Sequence, residues 1–374
     1  MTKKRTATKK GTTKKKTMAK KGITTKRKTM KKTCQHDIKM SYDYEIKKDY
    51  NNLVNYFNQS DFYKLLNKTN SKKNRLDRLR ILGQIGDTGI YFKYAPNRKV
   101  YNLIKNDVII NSKLEKRCPL CLLSQADIKI YPINLVRSIL WRDYIISANT
   151  YPYFKNHMLV LSTTHNHGLQ GDRGTQYTLH KNKNVINDMI DLYVLLGQKG
   201  TMFFNGVIGN SQLHFHFQIT SENVPIQQLL HNFNKADLET LNTKKNNKIT
   251  LFRNDKKDCL NGIIFYGNYK TLGSEIFKFL KSINKKGLLY NILFIENKNK
   301  VDNGKVTVIV YLRKKIKNEN VEDFNMGSTS VGGILLTAKL LKYKLNNPEI
   351  VDKIQKYCNV TVIKPNKQMF KNII

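Results

Sequence analysis

The stretch at 201–219, TMFFNGVIGNSQLHFHFQI, decides the fold and the chemistry expected of this chain. Its last seven residues alternate between apolar and polar side chains, which predicts a strand with one face on a hydrophobic core. The polar face carries His214, His216 and Gln218, where a solvated strand would carry Lys, Glu or Thr. Just upstream, the Gly-Asn-Ser turn at 209–211 offers backbone N–H groups that can hold phosphate oxygens. Imidazoles beside such a turn indicate nucleotidyl transfer through histidine.

A half-buried strand with two hydrogen-bonded core histidines is the alternative interpretation of this stretch. The whole string Gly-x-Ser-x-x-His-x-His-x-Gln at 209–218 is less easily explained in that way. It resembles the active-site motif of the galactose-1-phosphate uridylyltransferase branch of the histidine-triad superfamily. That branch includes dinucleoside tetraphosphate phosphorylases and GDP-hexose phosphorylases. The resemblance implies that His216 is the catalytic nucleophile, and that Gln218 and Ser211 match the Gln and Ser of the family motif.

Further residues of the nucleotide site follow from the same resemblance. In the family, an Asn-x-x-Pro-like turn lies against the base and ribose, and Asn149 is the matching residue here. An Asn before a Pro-containing turn is also ordinary turn chemistry, so both interpretations of Asn149 stay open. The candidate nucleotide-binding residues are Asn149, Asn205, Gly209, Asn210 and Ser211.

A Cys-x-x-Cys pair, Cys118 and Cys121, predicts one half of a tetrahedral zinc site, because a turn brings both thiolates to one side. The resemblance to zinc-bearing uridylyltransferases implies that His165 and His214 supply the other half. His167 is a rival to His165, because phosphorylase-like members carry a His followed three residues later by Gln. Four protein ligands make such a zinc structural. A free or redox-active cysteine pair is the alternative.

The charge of the chain is extreme: its 374 residues carry a net charge of +40. Residues 1–33 hold fifteen Lys and Arg and no acid, and such a composition predicts a disordered tail. Polyanions are the partners that a basic protein favours, so nonspecific nucleic-acid binding through this tail is expected. A solubilising tail is the alternative, and the charge elsewhere is equally well explained by a Lys/Asn/Ile-rich composition.

The N-terminus shows no apolar segment behind its positive charges, so no secretory signal is predicted. Apolar runs stay well short of the roughly 18 residues of a membrane span, and no membrane partner is expected. An intracellular, cytoplasmic or nuclear location follows, or packaging with nucleic acid, and Cys34, Cys259 and Cys358 are predicted to be unpaired. A homodimer is left open.

The strand and helix patterns predict an α+β fold, and the family resemblance implies two histidine-triad-like halves, each with antiparallel strands and packed helices. The second half is expected to be degenerate, because no His follows His231. The expected order is a disordered basic tail at 1–37, a helical extension at 38–90, a first half with both sites at 91–235, and a second half at 248–374. Helices are expected at 184–198 and 274–283, and strands at 144–148, 157–162, 213–219, 262–266, 291–295 and 305–312.

Two functions are consistent with these features. The leading one is a nucleotidyltransferase or nucleotide phosphorylase that acts on a nucleoside diphosphate sugar or dinucleoside polyphosphate through a covalent nucleotidyl-histidine. The alternative is a nucleic-acid-binding or packaging protein on a repurposed histidine-triad-like fold, which the basic tail and the +40 charge suggest. The sequence has no P-loop, GxGxxG motif or paired carboxylates, which argues against kinases and dehydrogenases.

Overall fold

A computed structural model describes the part of the chain that carries the predicted halves. The described residues are 80–86, 88–95, 138–149, 152–162, 179–206, 209, 214–232, 238–244, 247–252, 260–296, 304–314, 327–337, 347–366 and 368. Strands and helices both occur throughout them, and the expected α+β class is confirmed.

The described residues form thirteen strands, in which β-branched and aromatic side chains are frequent. Their bounds are β1 (Arg80–Gln84), β2 (Tyr91–Tyr94), β3 (Ser138–Trp141), β4 (Tyr144–Ala148), β5 (Met158–Ser162), β6 (Thr201–Asn205), β7 (His216–Thr220), β8 (Leu238–Lys244), β9 (Asn247–Phe252), β10 (Gly262–Asn268), β11 (Leu289–Ile295), β12 (Lys305–Arg313) and β13 (Ile334–Thr337).

Within the described residues, five α-helices lie between these strands or follow them. Their bounds are α1 (Lys183–Leu195), α2 (Pro225–Asn232), α3 (Tyr269–Lys285), α4 (Ser328–Val331) and α5 (Pro348–Thr361), and a 3₁₀ helix (Leu179–Lys181) precedes α1. The three longest helices begin in the same way. Asn182, Asn268 and Asn347 each accept a hydrogen bond from the backbone N–H two residues on, which satisfies one of the free donors of the first turn.

Ten strands form one antiparallel sheet in the order β3-β4-β5-β7-β6-β11-β12-β10-β9-β8. Counted from the two outer edges, the strands run β3-β4-β5-β7-β6 in one half and β8-β9-β10-β12-β11 in the other, so both halves are connected in the same way. Likewise, α1 precedes β6 and α3 precedes β11 in the sequence. The two halves meet where β6 pairs with β11. The expected pair of similarly built halves therefore shares a single sheet. A smaller sheet, β1-β2-β13, joins residues from both ends of the described chain.

The large sheet has a hydrophobic core on each face, because alternate side chains of a strand point to opposite sides. On one face, Phe215, Phe217 and Ile219 belong to the core that α1 and α3 cover. On the other, Phe203 belongs to a core shared with the small sheet, α2 and α5. Alternation along β7 directs His216 and Gln218 toward this second face.

Several expectations need correction or lie outside the described residues. Strand β1 occupies the end of the segment at 38–90 that was expected to be helical, and β8 lies in a connection for which no element was expected. Cys358 is disulfide-bonded, contrary to its predicted unpaired state. The tail at 1–37 and the helical patterns before residue 80 lie outside the described residues. Among the described helices, none has the length and apolarity needed to cross a membrane.

Candidate active site

The imidazole of His216 is held in a defined orientation at the start of β7. Its Nδ1 lies 2.8 Å from the backbone oxygen of His214, and the side chain is 5% exposed. A carbonyl oxygen only accepts, so Nδ1 carries the proton in this hydrogen bond. In the neutral ring the lone pair then resides on Nε2. Nε2 is therefore the nitrogen of His216 that is suited to nucleophilic attack.

The ring of His214 has the opposite arrangement. Its Nε2 lies 2.8 Å from the backbone oxygen of Ser162, and the side chain is almost fully buried. Nε2 is the donor in this bond, so the neutral ring has its lone pair on Nδ1. Metal-ligating histidines commonly donate their other N–H to a backbone carbonyl in this way. The chemistry of His214 thus fits the predicted role of a zinc ligand through Nδ1.

The amide of Gln218 is fixed by two donors. Its Oε1 accepts hydrogen bonds from Nε2 of His157 at 2.8 Å and from the hydroxyl of Tyr153 at 3.0 Å. The oxygen and nitrogen of an amide point away from each other across the carbon that joins them. The NH₂ group of Gln218 is therefore directed away from His157, as a donor on the same strand face as His216. Same-face neighbours on a strand are about 6.7 Å apart.

Two members of this site, His157 and Tyr153, were not recognised as functional from the sequence. His157 is fully buried, its Nδ1 faces the backbone N–H of Tyr153 at 3.4 Å, and the side-chain nitrogen of Asn149 lies 3.3 Å from its ring nitrogens. The rings of His157 and Tyr153 meet edge to face, with 4.4 Å between their centroids. The sequence carries no local signal for this contact, because it depends on the pairing of β5 with β7, in which Leu159 lies opposite Gln218.

An ion pair between Lys93 of the small sheet and Glu222 stabilises the turn that carries Tyr153. Lys93 on β2 is 2% exposed, contacts Glu222 just after β7, and lies 4.4 Å above the ring of Phe154. Glu222 also accepts a hydrogen bond from the backbone N–H of Lys155. Burial lowers the pKa of Lys93, against the opposing effect of the Glu222 carboxylate. The Tyr153 turn is thus tied to both sheets.

Asn205 has a structural contact that the sequence did not suggest. Its Oδ1 accepts a hydrogen bond from the backbone N–H of Ser328 at 2.6 Å, at the start of α4. A Cβ on Gly327 would lie 2.7 Å from the same oxygen, so a larger residue here would have to displace the Asn205 amide. Asn205 therefore anchors a segment of the second half to β6, and its oxygen is already engaged.

The structure brings Asn149, His157, His216 and Gln218 to one face of the sheet. Gly209 has φ +82°, as expected of a glycine in a tight turn. The remaining candidates, Asn210, Ser211, Cys118, Cys121, His165 and His167, lie outside the described residues. Within the part of the chain that is described, no three His, Cys, Asp or Glu side chains cluster as a metal site.

Several solved structures are similar to this chain. They include yeast Ap4A phosphorylase Apa2 in complex with Ap4A (TM-score 0.42, 14% identity, covering 80% of this chain and 93% of that one). A GalT-like protein from Arabidopsis thaliana has a TM-score of 0.33 at 10% identity, covering 74% and 98%. A uridylyltransferase has a TM-score of 0.31 at 12% identity, covering 59% and 86%. No family model and no curated protein matches the sequence.

Proposed function

We propose that this chain is a nucleotidyltransferase or nucleotide phosphorylase that works through a covalent nucleotidyl-histidine on His216. The observation that carries the proposal is the hydrogen bond from Nδ1 of His216 to the backbone oxygen of His214. It selects the neutral form whose lone pair is on Nε2, and imidazole is nucleophilic in that form near pH 7. The donor amide of Gln218 lies on the same strand face, where charge on a phosphoryl group needs stabilising.

The proposed reaction is a double displacement on phosphorus. Nε2 of His216 attacks the α-phosphorus of a nucleoside diphosphate sugar or dinucleoside polyphosphate, a P–N bond forms, and the bond from that phosphorus to the bridging oxygen breaks. The displaced sugar phosphate or nucleotide leaves with the electron pair of the broken bond. An oxygen of inorganic phosphate or a sugar phosphate then attacks the same phosphorus. The P–N bond breaks and its electron pair returns to Nε2.

Positive charge develops on the ring of His216 while it is bonded to phosphorus. The backbone oxygen of His214 faces Nδ1–H, and this contact stabilises the charged ring. The NH₂ group of Gln218 donates to a non-bridging oxygen of the nucleotidyl group. His157 and Tyr153 act through Gln218, because they hold its amide oxygen and so fix where its nitrogen points.

The predicted zinc is part of the proposal as a structural ion. Cys118, Cys121, His214 and either His165 or His167 would hold it, with His214 binding through Nδ1. A closed site of this kind supplies folding energy and takes no part in the reaction. Metal analysis should give about one equivalent of zinc that is lost in Cys118→Ser, together with a lower melting temperature.

The test of the proposed activity is a substrate panel. Purified full-length protein is incubated with labelled nucleotide sugars and dinucleoside polyphosphates, with inorganic phosphate, with a sugar phosphate, or with neither. At least one donor should be consumed only when an acceptor is present, and His216→Asn should abolish this while remaining folded. The proposal fails if the wild-type protein consumes no donor in the panel, or if His216→Asn turns over as fast as wild type.

A further inference from the structure

Helix α3 carries a row of lysines on its outer surface. Lys270, Lys278, Lys281 and Lys285 are all exposed. At 100° per residue they fall within an arc of about 80°. The buried residues of α3 lie on the opposite side and belong to the core on the helix-covered face of the sheet; they are Leu272, Gly273, Ile276, Phe279, Leu280 and Ile283. The lysine row therefore points directly away from the protein.

Little negative charge opposes this row. Within the described residues, its one ion pair joins Lys278 to Glu275 at 3.3 Å, and the side chains are 67% and 29% exposed. The lysine-rich composition alone does not explain the row, because the other long helices are different. Helix α3 has four lysines and one acid, α5 has two lysines and two acids, and α1 has one lysine and two acids.

We propose that the α3 lysine row binds the phosphate backbone of nucleic acid without sequence preference. From Lys270 to Lys285 the row extends over about 22 Å, at 1.5 Å per residue. Double-stranded DNA presents one negative charge per about 1.7 Å of its axis, so several phosphates lie within reach of a row this long. Lysine binds a phosphate as a flexible point charge and carries no base-reading geometry of its own.

The helix lacks the exposed apolar face that would let it insert into a membrane interface. A helix that lies in a membrane interface inserts its apolar face among the lipid chains. The apolar face of α3 is instead buried in the core, where Leu272, Ile276 and Leu280 are fully covered. Only charge is left for the partner, and a polyanion with regularly spaced phosphates complements it.

The lysine row is separate from the proposed active site. Helix α3 covers one face of the sheet, whereas His216 and Gln218 point to the other. Nucleic-acid binding by α3 and turnover of a small nucleotide can therefore be measured independently, and failure of one proposal does not affect the other.

The experiment compares the full-length protein with two variants of equal charge. One variant replaces the four row lysines by Gln, which preserves helix propensity. The control variant replaces Lys199, Lys314, Lys353 and Lys356, which are exposed at positions outside α3. Binding to a fluorescent 20-base-pair duplex is measured between 50 and 200 mM salt. The basic tail is present in all three proteins, so differences report the replaced lysines.

Each phosphate contact contributes about 0.9 to the slope of log affinity against log salt, so the row variant should lose about 3 to 4 from that slope. Over the fourfold salt range, wild type should lose about 150-fold more affinity than the row variant does. The control variant should keep a slope close to that of wild type. Activity on small nucleotides should be the same in all three proteins.

The proposal is overturned if the row and control variants weaken duplex binding equally, or if the row variant binds like wild type. Vesicles that contain phosphatidylserine provide a second arm. If the row variant loses vesicle binding and keeps duplex binding, the surface is a membrane surface and the proposal is wrong. Should the fourfold variant fail to fold, Lys278→Gln with Lys281→Gln is compared with Lys353→Gln with Lys356→Gln, and a slope difference of about 2 is expected.

Discussion

The two halves of the large sheet have the same strand order but differ at the positions that form the candidate site. On β7, Gln218 pairs with Leu159 and Phe203. The matching position on β12 is Ile309, which pairs with Ile264 and Leu293. Both positions are buried, yet one holds an amide and the other a hydrocarbon. The backbone is thus shared, and the chemistry depends on side chains alone.

The same register identifies the counterpart of the buried histidine. His157 lies two residues before Leu159, and Gly262 lies two residues before Ile264. A Cβ at Gly262 would approach Cγ2 of Ile309 to 2.9 Å. The second half therefore replaces a His–Gln pair by a Gly–Ile pair, in which the isoleucine fills the space beside the missing side chain.

Two further positions complete the comparison. His216 lies two residues before Gln218 and corresponds to Thr307 on β12. Asn149 lies opposite His157, and its counterpart is Phe252, which lies opposite Gly262. Phe252 is fully buried in the core on that face. The counterparts of His157, Gln218 and Asn149 are thus a glycine and two buried apolar side chains, and the second half is expected to contribute stability without chemistry.

The largest expected difference between the halves is in turnover. His216→Gly should lower kcat by about 10³-fold or more, because the group that bonds to phosphorus is removed. Thr307→Gly, at the matching position, should leave kcat within about twofold of wild type. Steady-state rates with the best donor of the panel measure both. Equal losses in the two variants would contradict the assignment of chemistry to one half.

For stability, the substitution in the second half should have the larger effect. Phe252→Ala removes a fully buried ring and should cost about 3 to 5 kcal/mol of unfolding free energy. Asn149→Ala should cost about 1 kcal/mol, the usual contribution of a hydrogen bond, and should instead weaken substrate binding. Urea unfolding and KM are the measurements. The comparison fails if Asn149→Ala is the more destabilising change.

Sequence reasoning located several of the described strands and helices because their patterns are local. Strand β4 was expected within its observed bounds, and α1 and β12 within a few residues, since period 2 and period 3.6 can be read along one chain. The union of both halves in one sheet was not expected. It depends on the pairing of β6 with β11, which joins residues 90 apart and has no local signature.

The candidate site was predictable to a similar extent. His216 and Gln218 could be found because they interrupt an apolar strand and match a motif. His157 and Tyr153 could not be assigned a role, because their function depends on facing Gln218 across the sheet. Asn205 was assigned to the nucleotide, but its oxygen binds the backbone of Ser328, a contact between segments more than a hundred residues apart.

A smaller effect on turnover is expected when the positioned amide is removed. Gln218→Met keeps the length of the side chain but deletes the donor, and kcat should fall about 10²-fold, as for other single donors to a developing oxyanion. KM should change much less. Ile309→Met, at the matching position of the second half, should leave kcat unchanged. An unchanged kcat in Gln218→Met would show that the amide does not act on the substrate.

The smallest expected effect is the loss of stability when a methyl group is added at Gly262. Gly262→Ala should destabilise the fold by about 1 to 3 kcal/mol, because the new methyl group overlaps the side chains of Ile309 and Tyr311. Activity per folded molecule should be preserved. Chemical unfolding of the variant measures the loss, and combining it with Ile309→Val should restore part of it. A fully stable Gly262→Ala would mean that the second half is not packed as described.

The central claim is that His216 alone becomes covalently bonded to the nucleotide. Its most direct test is the mass of full-length protein quenched within seconds of mixing with donor in the absence of acceptor. The mass should increase by one nucleoside monophosphate, the adduct should be labile in acid and stable in base, and peptide mapping should place it on β7. His216→Asn should show no adduct, and Thr307→Gly should show it in full. An adduct that persists in His216→Asn, or maps to another strand, would contradict the account.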